Sequence, residues 1–180
     1  MIKSKVNIYK VLVLVVLIVL TAIVTFVPGL FYGETGTAPI GARYEKLTEL
    51  VYLPDRSFAT LEIVNTTGTT TLAVEVVNTL ESRQLGLSGR KGLAGGEGML
   101  FAFQEPSLYN FWMKDMLFPL DIIWINTEGS IVHVETNKGP ETYPNAFAPT
   151  EPAQFVLETS AGFVDFFGVK VGDEVKFKKI

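Results

Sequence analysis

The 180-residue chain has no cysteine and a single histidine, His133. The first absence excludes disulfides, thiolate nucleophiles and zinc–thiolate centres. The second excludes a multi-histidine metal site and leaves a histidine-based catalytic dyad one candidate. No basic run follows Lys10 and the net charge is −4, so the electrostatic footprint of a nucleic-acid partner is missing. The acidity is mild and dispersed, unlike that of a solvated acidic tail. No metal and no cofactor is expected from the residues present.

Much of the apolar content sits in one place. Val11 to Val27, VLVLVVLIVLTAIVTFV, is a run of 17 uncharged, mostly apolar residues, and it reaches 21 when extended to Phe31. About 20 such residues cross a bilayer as a helix. Lys3, Lys5 and Lys10 precede the run and the next charge is Glu34, so the positive-inside rule predicts a cytoplasmic N-terminus and an external remainder. The run is longer than a signal-peptide core and its exit lacks a good small-x-small site. The expectation is an uncleaved, single-pass plasma-membrane anchor; cleavage would give a secreted domain.

The predicted organisation is a cytoplasmic segment (1–10), a transmembrane signal anchor (11–31), a stalk (32–56) and an extracytoplasmic domain (57–180). GETGTAPIG has the composition of a tether. Tyr44 to Tyr52 could add one or two helical turns with Leu47, Leu50 and Val51 on one face. Phe58–Val64 and Thr71–Val77 read as strands around an NTTGTT turn, in which the Asn65-Thr66-Thr67 sequon is taken as turn chemistry. Asn78 and Glu81 have capping-box spacing ahead of a short helix to Leu87. Met99–Phe103, Leu108–Met113, Leu120–Asn126, Ser130–Thr136, Ala153–Glu158 and Glu174–Lys179 read as strands, and Ala161–Phe167 as a second short helix. The predicted fold is α+β: a β-rich, mainly antiparallel, partly closed barrel-like domain with two short helices.

Four blocks carry a family resemblance: VEVVNTLESRQLGLSGR, GMLFAF, FWMKDMLFPLDIIWIN and QFVLETSAGFVDFFGVKVGDEVKF. In this order they resemble the family known as domain of unknown function 192, over Phe58 to Phe177. The resemblance implies a compact, β-rich prokaryotic domain, often behind a signal peptide or anchor, with no assigned activity. The chain departs from the family's usual residues at two places. Gly86-Leu87-Ser88 stands where the family usually reads Gly-Leu-Met, and Lys114-Asp115-Met116-Leu117-Phe118 where it often reads Lys-Asn followed by Thr and an aliphatic residue before Pro-Leu-Asp.

The candidate site residues are Arg83, Arg90, Trp112, Lys114 and Asp121. On a strand, Asp121 shares a face with Ile123 and Ile125, while Leu120, Ile122 and Trp124 share the other. Both faces are apolar, so Asp121 is expected to be desolvated and to need a cation or several N–H groups. Arg83 or Arg90 would satisfy it as a bidentate pair. Trp112 and Lys114 share a face and could form a stacking platform or simply pack. Glu158 could pair with Arg83, cap the second helix, or join Asp121 in a carboxylate pair of glycosidase type. His133 is expected to share a face with Ile131, opposite Val132 and Val134. Two functions remain. One is a ligand- or partner-binding envelope module, taking a small molecule, a carbohydrate or an envelope protein. The other is an envelope hydrolase built on Asp121 and a second carboxylate. The residues favour the binding module.

Overall fold

A computed structural model describes residues 44–178; the predicted cytoplasmic segment and anchor lie outside them. Among the described residues no helix is long and apolar enough to cross a membrane. The strands are β1 (Tyr44–Glu45), β2 (Ser57–Asn65), β3 (Gly68–Val77), β4 (Glu97–Ser107), β5 (Phe111–Trp112), β6 (Leu120–Ile125), β7 (Ile131–Lys138), β8 (Ala146–Phe147), β9 (Ala153–Ser160) and β10 (Glu174–Lys178). Two short helices follow the sequence signals, α1 (Leu80–Leu85) and α2 (Phe163–Phe167).

Eight strands form one sheet in the order β1-β10-β2-β3-β4-β9-β6-β7, and β5 and β8 form a small ribbon. Every pairing is antiparallel except β3 with β4. That parallel pair needs a crossover, which α1 and the glycine-rich Gly86–Gly96 loop supply. The far end of the sheet curls back. Ser130, after the β6–β7 turn, bridges to Glu174 of β10, and Val175 N–H donates to the Gly129 carbonyl at 2.7 Å. A Cβ on Gly129 would lie 2.7 Å from that Val175 carbonyl oxygen, so only glycine allows this closure. The partly closed, mainly antiparallel architecture expected from the sequence is the one observed.

Strands β4, β9 and β6 are apolar on both faces because each face meets a separate core. One core holds Leu61, Leu100, Ile123, Ile125, Phe155 and Leu157, and α2 adds Val164. The other holds Met99, Phe101, Phe111, Ile122, Trp124 and Val156. Trp124 is completely buried and its indole N–H donates to the Tyr109 carbonyl at 2.9 Å. Burying a side chain of this size contributes about 2–3 kcal/mol.

Several local expectations shift. The domain starts before residue 57: β1 pairs with β10, and a 3₁₀ turn over Leu47–Tyr52 buries Leu47, Leu50 and Val51. The apolar face read from that segment docks on the core, so residues 44–56 are domain rather than tether. The α1 cap is Thr79, in a reciprocal box with Ser82, one residue after the expected Asn78. Asn78 instead donates to the Val51 and Leu53 carbonyls and ties that 3₁₀ turn to the helix start. Of the strand expected over Leu108–Met113, only Phe111–Trp112 pairs. A register shift between Trp124 and Ile125 puts His133 opposite Trp124, ring to ring at 5.3 Å, instead of beside Ile131. The expected turn role of Asn65 holds: its side chain accepts from the Thr67 and Gly68 N–H groups.

Asp121 is fully buried in β6, and its partners are backbone groups, not arginines. Between Leu120 and Ile122, β7 carries one extra residue, a bulge, with Asn137 at φ +51°. A bulge takes an N–H out of the ladder. The Asn137 N–H donates to Asp121 Oδ1 at 2.8 Å. On the other side, α2 begins at Gly162, which has no side chain to cap it. The Val164 N–H donates to Asp121 Oδ2 at 2.9 Å. One carboxylate thus satisfies a bulge and a helix start. Asp121→Ala orphans both donors at about 1–3 kcal/mol each. Urea unfolding should show a loss of at least ~2 kcal/mol; an unchanged midpoint would mean that Asp121 pins nothing.

Candidate functional site

The crossover that joins β3 to β4 carries α1, and the Tyr109–Met116 segment follows β4. Between them lies a cleft of about 850 Å³. Its inner wall is Phe101, Phe111, Leu87 and Met116, and its rim carries Leu85, Trp112, Arg83 and Lys114. Two hydrogen bonds tie the two walls together. Ser88 Oγ donates to the Lys114 carbonyl at 3.2 Å, and Gly89 N–H donates to the Asp115 carbonyl at 2.9 Å. Asp115 itself sits at φ +56°, a conformation that Asn and Asp tolerate better than most residues. At the helix exit, Gly86 has φ +51° and ψ −133°, and a Cβ there would approach Phe101 Cζ to 3.3 Å. A side chain at 86 would therefore strain the backbone and push on the cleft wall.

Three of the five predicted site residues meet at this cleft: Arg83, Trp112 and Lys114. The alternation expected around Trp112 is observed, with Phe111 and Met113 buried and Trp112 and Lys114 exposed. Trp112 is 56% exposed. The Arg83 guanidinium donates to the Asn78 and Ala102 carbonyls and lies 4.7 Å over the Phe103 ring. Phe103 in turn stacks on Tyr109 at 3.5 Å between centroids. Burial holds Arg83 below its ordinary value, against the opposing pull of Tyr109 and Asp55. Burial likewise raises the Tyr109 hydroxyl, which donates to the Glu105 carbonyl.

The other two lie elsewhere. Arg90 pairs with Glu75 at 2.6 Å, and Arg56 holds the second oxygen of the same carboxylate. Asp121 faces the opposite core. In register, Asp121 is beside Thr159 and Ile122 is beside Glu158, so Asp121 and Glu158 project to opposite faces of the sheet. A glycosidase-type pair of these two carboxylates is not formed, because the strand period separates them.

Glu158 ends the cleft. It lies on the face of β9 that carries Val156, between Met99 of β4 and Ile122 of β6. Only 4% of it is exposed, yet it lines the cleft. It neither pairs with Arg83 nor caps α2, and no donor or cation among the described residues reaches it. Burial alone raises its carboxyl to about 8, so the group is protonated at neutral pH. In the sequence this residue was only one of several weak carboxylates. The available signal was a Glu at an inward position of a strand buried on both faces.

The comparisons with known proteins bear on this geometry. The family model described as an uncharacterized ACR, DUF192, matches residues 62–177. The chain belongs to the DUF192 family. Two solved structures are similar. One is a candidate transcription regulator from Sinorhizobium meliloti 1021, 31% identical, covering 69% of this chain and 97% of that one at a TM-score of 0.65. The other is a protein of unknown function from Novosphingobium aromaticivorans DSM 12444, 26% identical, covering 79% and 99% at a TM-score of 0.64. No curated protein matches the chain. The DUF192 match spans every element of the cleft.

A buried acid with a raised value binds its proton more tightly folded than unfolded. Its stabilising effect is complete below the ordinary carboxyl value near 4.5 and is lost as pH rises through about 8. Glu158→Gln removes the ionisable group and keeps the shape. At pH 7 the variant should be more stable than the parent by about 3 kcal/mol. Its stability should also stay flat between about pH 5 and pH 8, where the parent's falls. Thermal unfolding across that range checks both, and parallel pH profiles would refute the burial of this carboxyl.

Proposed function

We propose that this DUF192 protein is a membrane-anchored, extracytoplasmic binding domain whose small-molecule ligand occupies the cleft between α1 and the Tyr109–Met116 segment. One observation carries the reading: the cleft ends on Glu158, a buried carboxyl with no partner of its own. Leaving such a group unmatched costs stability, which structural packing alone gives no reason to accept. The cleft's size lies within the usual range for small-ligand sites, about 300–1,000 Å³. Its mixture of apolar wall and few polar groups fits the same class.

The anchor and location rest on the Val11–Phe31 run and the three lysines before it. A nucleic-acid role, as the description of the Sinorhizobium meliloti relative would suggest, draws no support from a net charge of −4 without a basic run. Hydrolysis draws partial support from a carboxyl that keeps its proton at neutral pH, as a general acid must. The other carboxylates nearby are differently placed: Glu75 and Glu135 share its sheet face but are held in ion pairs, Glu105 and Asp115 line the cleft rim, and Asp121 is committed to backbone on the opposite face.

Two experiments test this. The chain should sediment with membranes, and protease added outside intact cells lacking an outer barrier should digest the domain but not the N-terminal tail. Recovery in the soluble fraction defeats the anchor. Separately, Trp112→Ala, at an exposed rim position, should change the unfolding free energy by no more than about 0.5 kcal/mol. It should also weaken hits from a small-molecule screen at least tenfold. Hits that bind the variant as well as the parent would place binding outside the cleft.

A further inference from the structure

Resting on that reading, we propose that the cleft selects an organic cation, a primary amine carried on an apolar body, by pairing its ammonium with Glu158. The charges of the cleft lead to this class. Arg83 and Lys114 are balanced by Glu105 and Asp115 among the lining residues, so the rim is close to neutral and Glu158 sets the sign inside. Arg83 is already committed to two carbonyls and an aromatic face. Lys114 is half-exposed beside Asp115 at 3.9 Å. Neither stands at the floor, where Met99, Ile122 and Val156 surround Glu158 and offer it no donor.

An ammonium brings both things the floor lacks, a set of donors and a positive charge. Charge-assisted hydrogen bonds are roughly twice as strong as neutral ones, and a pair closed off from water gains further. The walls suit the same ligand. Phe101, Phe111 and Trp112 line the cleft, and aromatic side chains can pack an apolar body and attract a cation. An anion would instead meet a carboxyl at the end of the cleft. A neutral hydroxyl would find one hydrogen bond and no charge partner.

Binding of this kind releases a proton. The empty cleft holds Glu158 protonated at neutral pH, since burial raises it to about 8. The ammonium complex holds it ionised. The titratable and charged groups lining the same cleft are Arg83 from α1, Glu105 from β4, and Tyr109, Lys114 and Asp115 from the segment beside it. On the same sheet face stand Glu75 of β3, paired with Arg56 and Arg90, and Glu135 of β7, paired with His133 and Lys138. None contributes to the rise at Glu158, which is desolvation alone. Affinity for an amine should therefore climb with pH up to about 8 and then level off. It falls again only as the amine loses its own proton near the lysine value of about 10.4.

The test uses the full-length chain in nanodiscs of zwitterionic lipid, with empty discs as the blank. The probes are phenethylamine and its neutral counterpart 2-phenylethanol, titrated by calorimetry at pH 7 and pH 9 in buffers of different ionisation enthalpy. The amine should bind about tenfold tighter at pH 9 than at pH 7, with close to one proton released per amine at pH 7. The alcohol should bind more weakly and show no pH dependence. Glu158→Gln should bring the amine down to the alcohol's affinity and erase its pH slope. The alcohol's retained binding would show that the variant is folded. Equal binding of the two probes by the parent protein would overturn the cation preference and leave the cleft as a ligand site. An amine preference that survives Glu158→Gln would overturn the role of Glu158. If neither probe binds, both the cation preference and the ligand-site reading fall.

Discussion

The fold depends on one carboxylate that never meets water. Asp121 accepts one N–H from the β7 bulge at Asn137 and one from the first turn of α2 at Val164. These donors come from chain segments 27 residues apart on either side of β9. Holding both fixes where β6 starts and which way its side chains face. Because the strand period is two, a slip by one residue would turn Asp121 toward the cleft and Ile122 toward the other core. The carboxylate's two hydrogen bonds exist in one register only. The strand neighbour that inherits this register is β9, and so the inward direction of Glu158 is set by a residue on the opposite face.

The sequence made part of this legible. The two-faced apolar pattern of Leu120–Ile125 showed a central strand and a desolvated Asp121, and both are present. The partners of Asp121 were not legible, because a backbone N–H leaves no mark in the residue types around it. Arginines are visible in a sequence and freed amides are not. Bulges hide for the same reason. The shift near Val132 moved His133 to the Trp124 side, and no residue there announces an extra position in the ladder. For the site, Arg83, Trp112 and Lys114 could be picked out by charge and exposure, yet Arg90 has the same chemistry and is taken by Glu75. Glu158 could be evaluated only once its neighbours across the sheet were known to be Met99 and Ile122.

The two places where the residues depart from what the DUF192 resemblance implies lie side by side in the fold. Ser88 and Asp115 lie on opposite walls of the cleft, and they meet where the Ser88 hydroxyl reaches the Lys114 carbonyl and the Gly89 amide reaches that of Asp115. Asp for Asn preserves tolerance of the left-handed backbone at 115. Serine in place of methionine trades an apolar, flexible side chain for a hydroxyl that stitches the walls together.

The curl of the sheet has a consequence for how such domains behave at high density. A sheet edge presents unpaired N–H and C=O groups that can recruit a strand from another molecule. Here one edge, β1, is two residues long. The other, β7, is interrupted by two register shifts and carries Glu135 and Lys138 in an ion pair. Among the described residues neither edge offers a long, flat template. The bulge that Asp121 stabilises is part of what denies another molecule a regular ladder along β7.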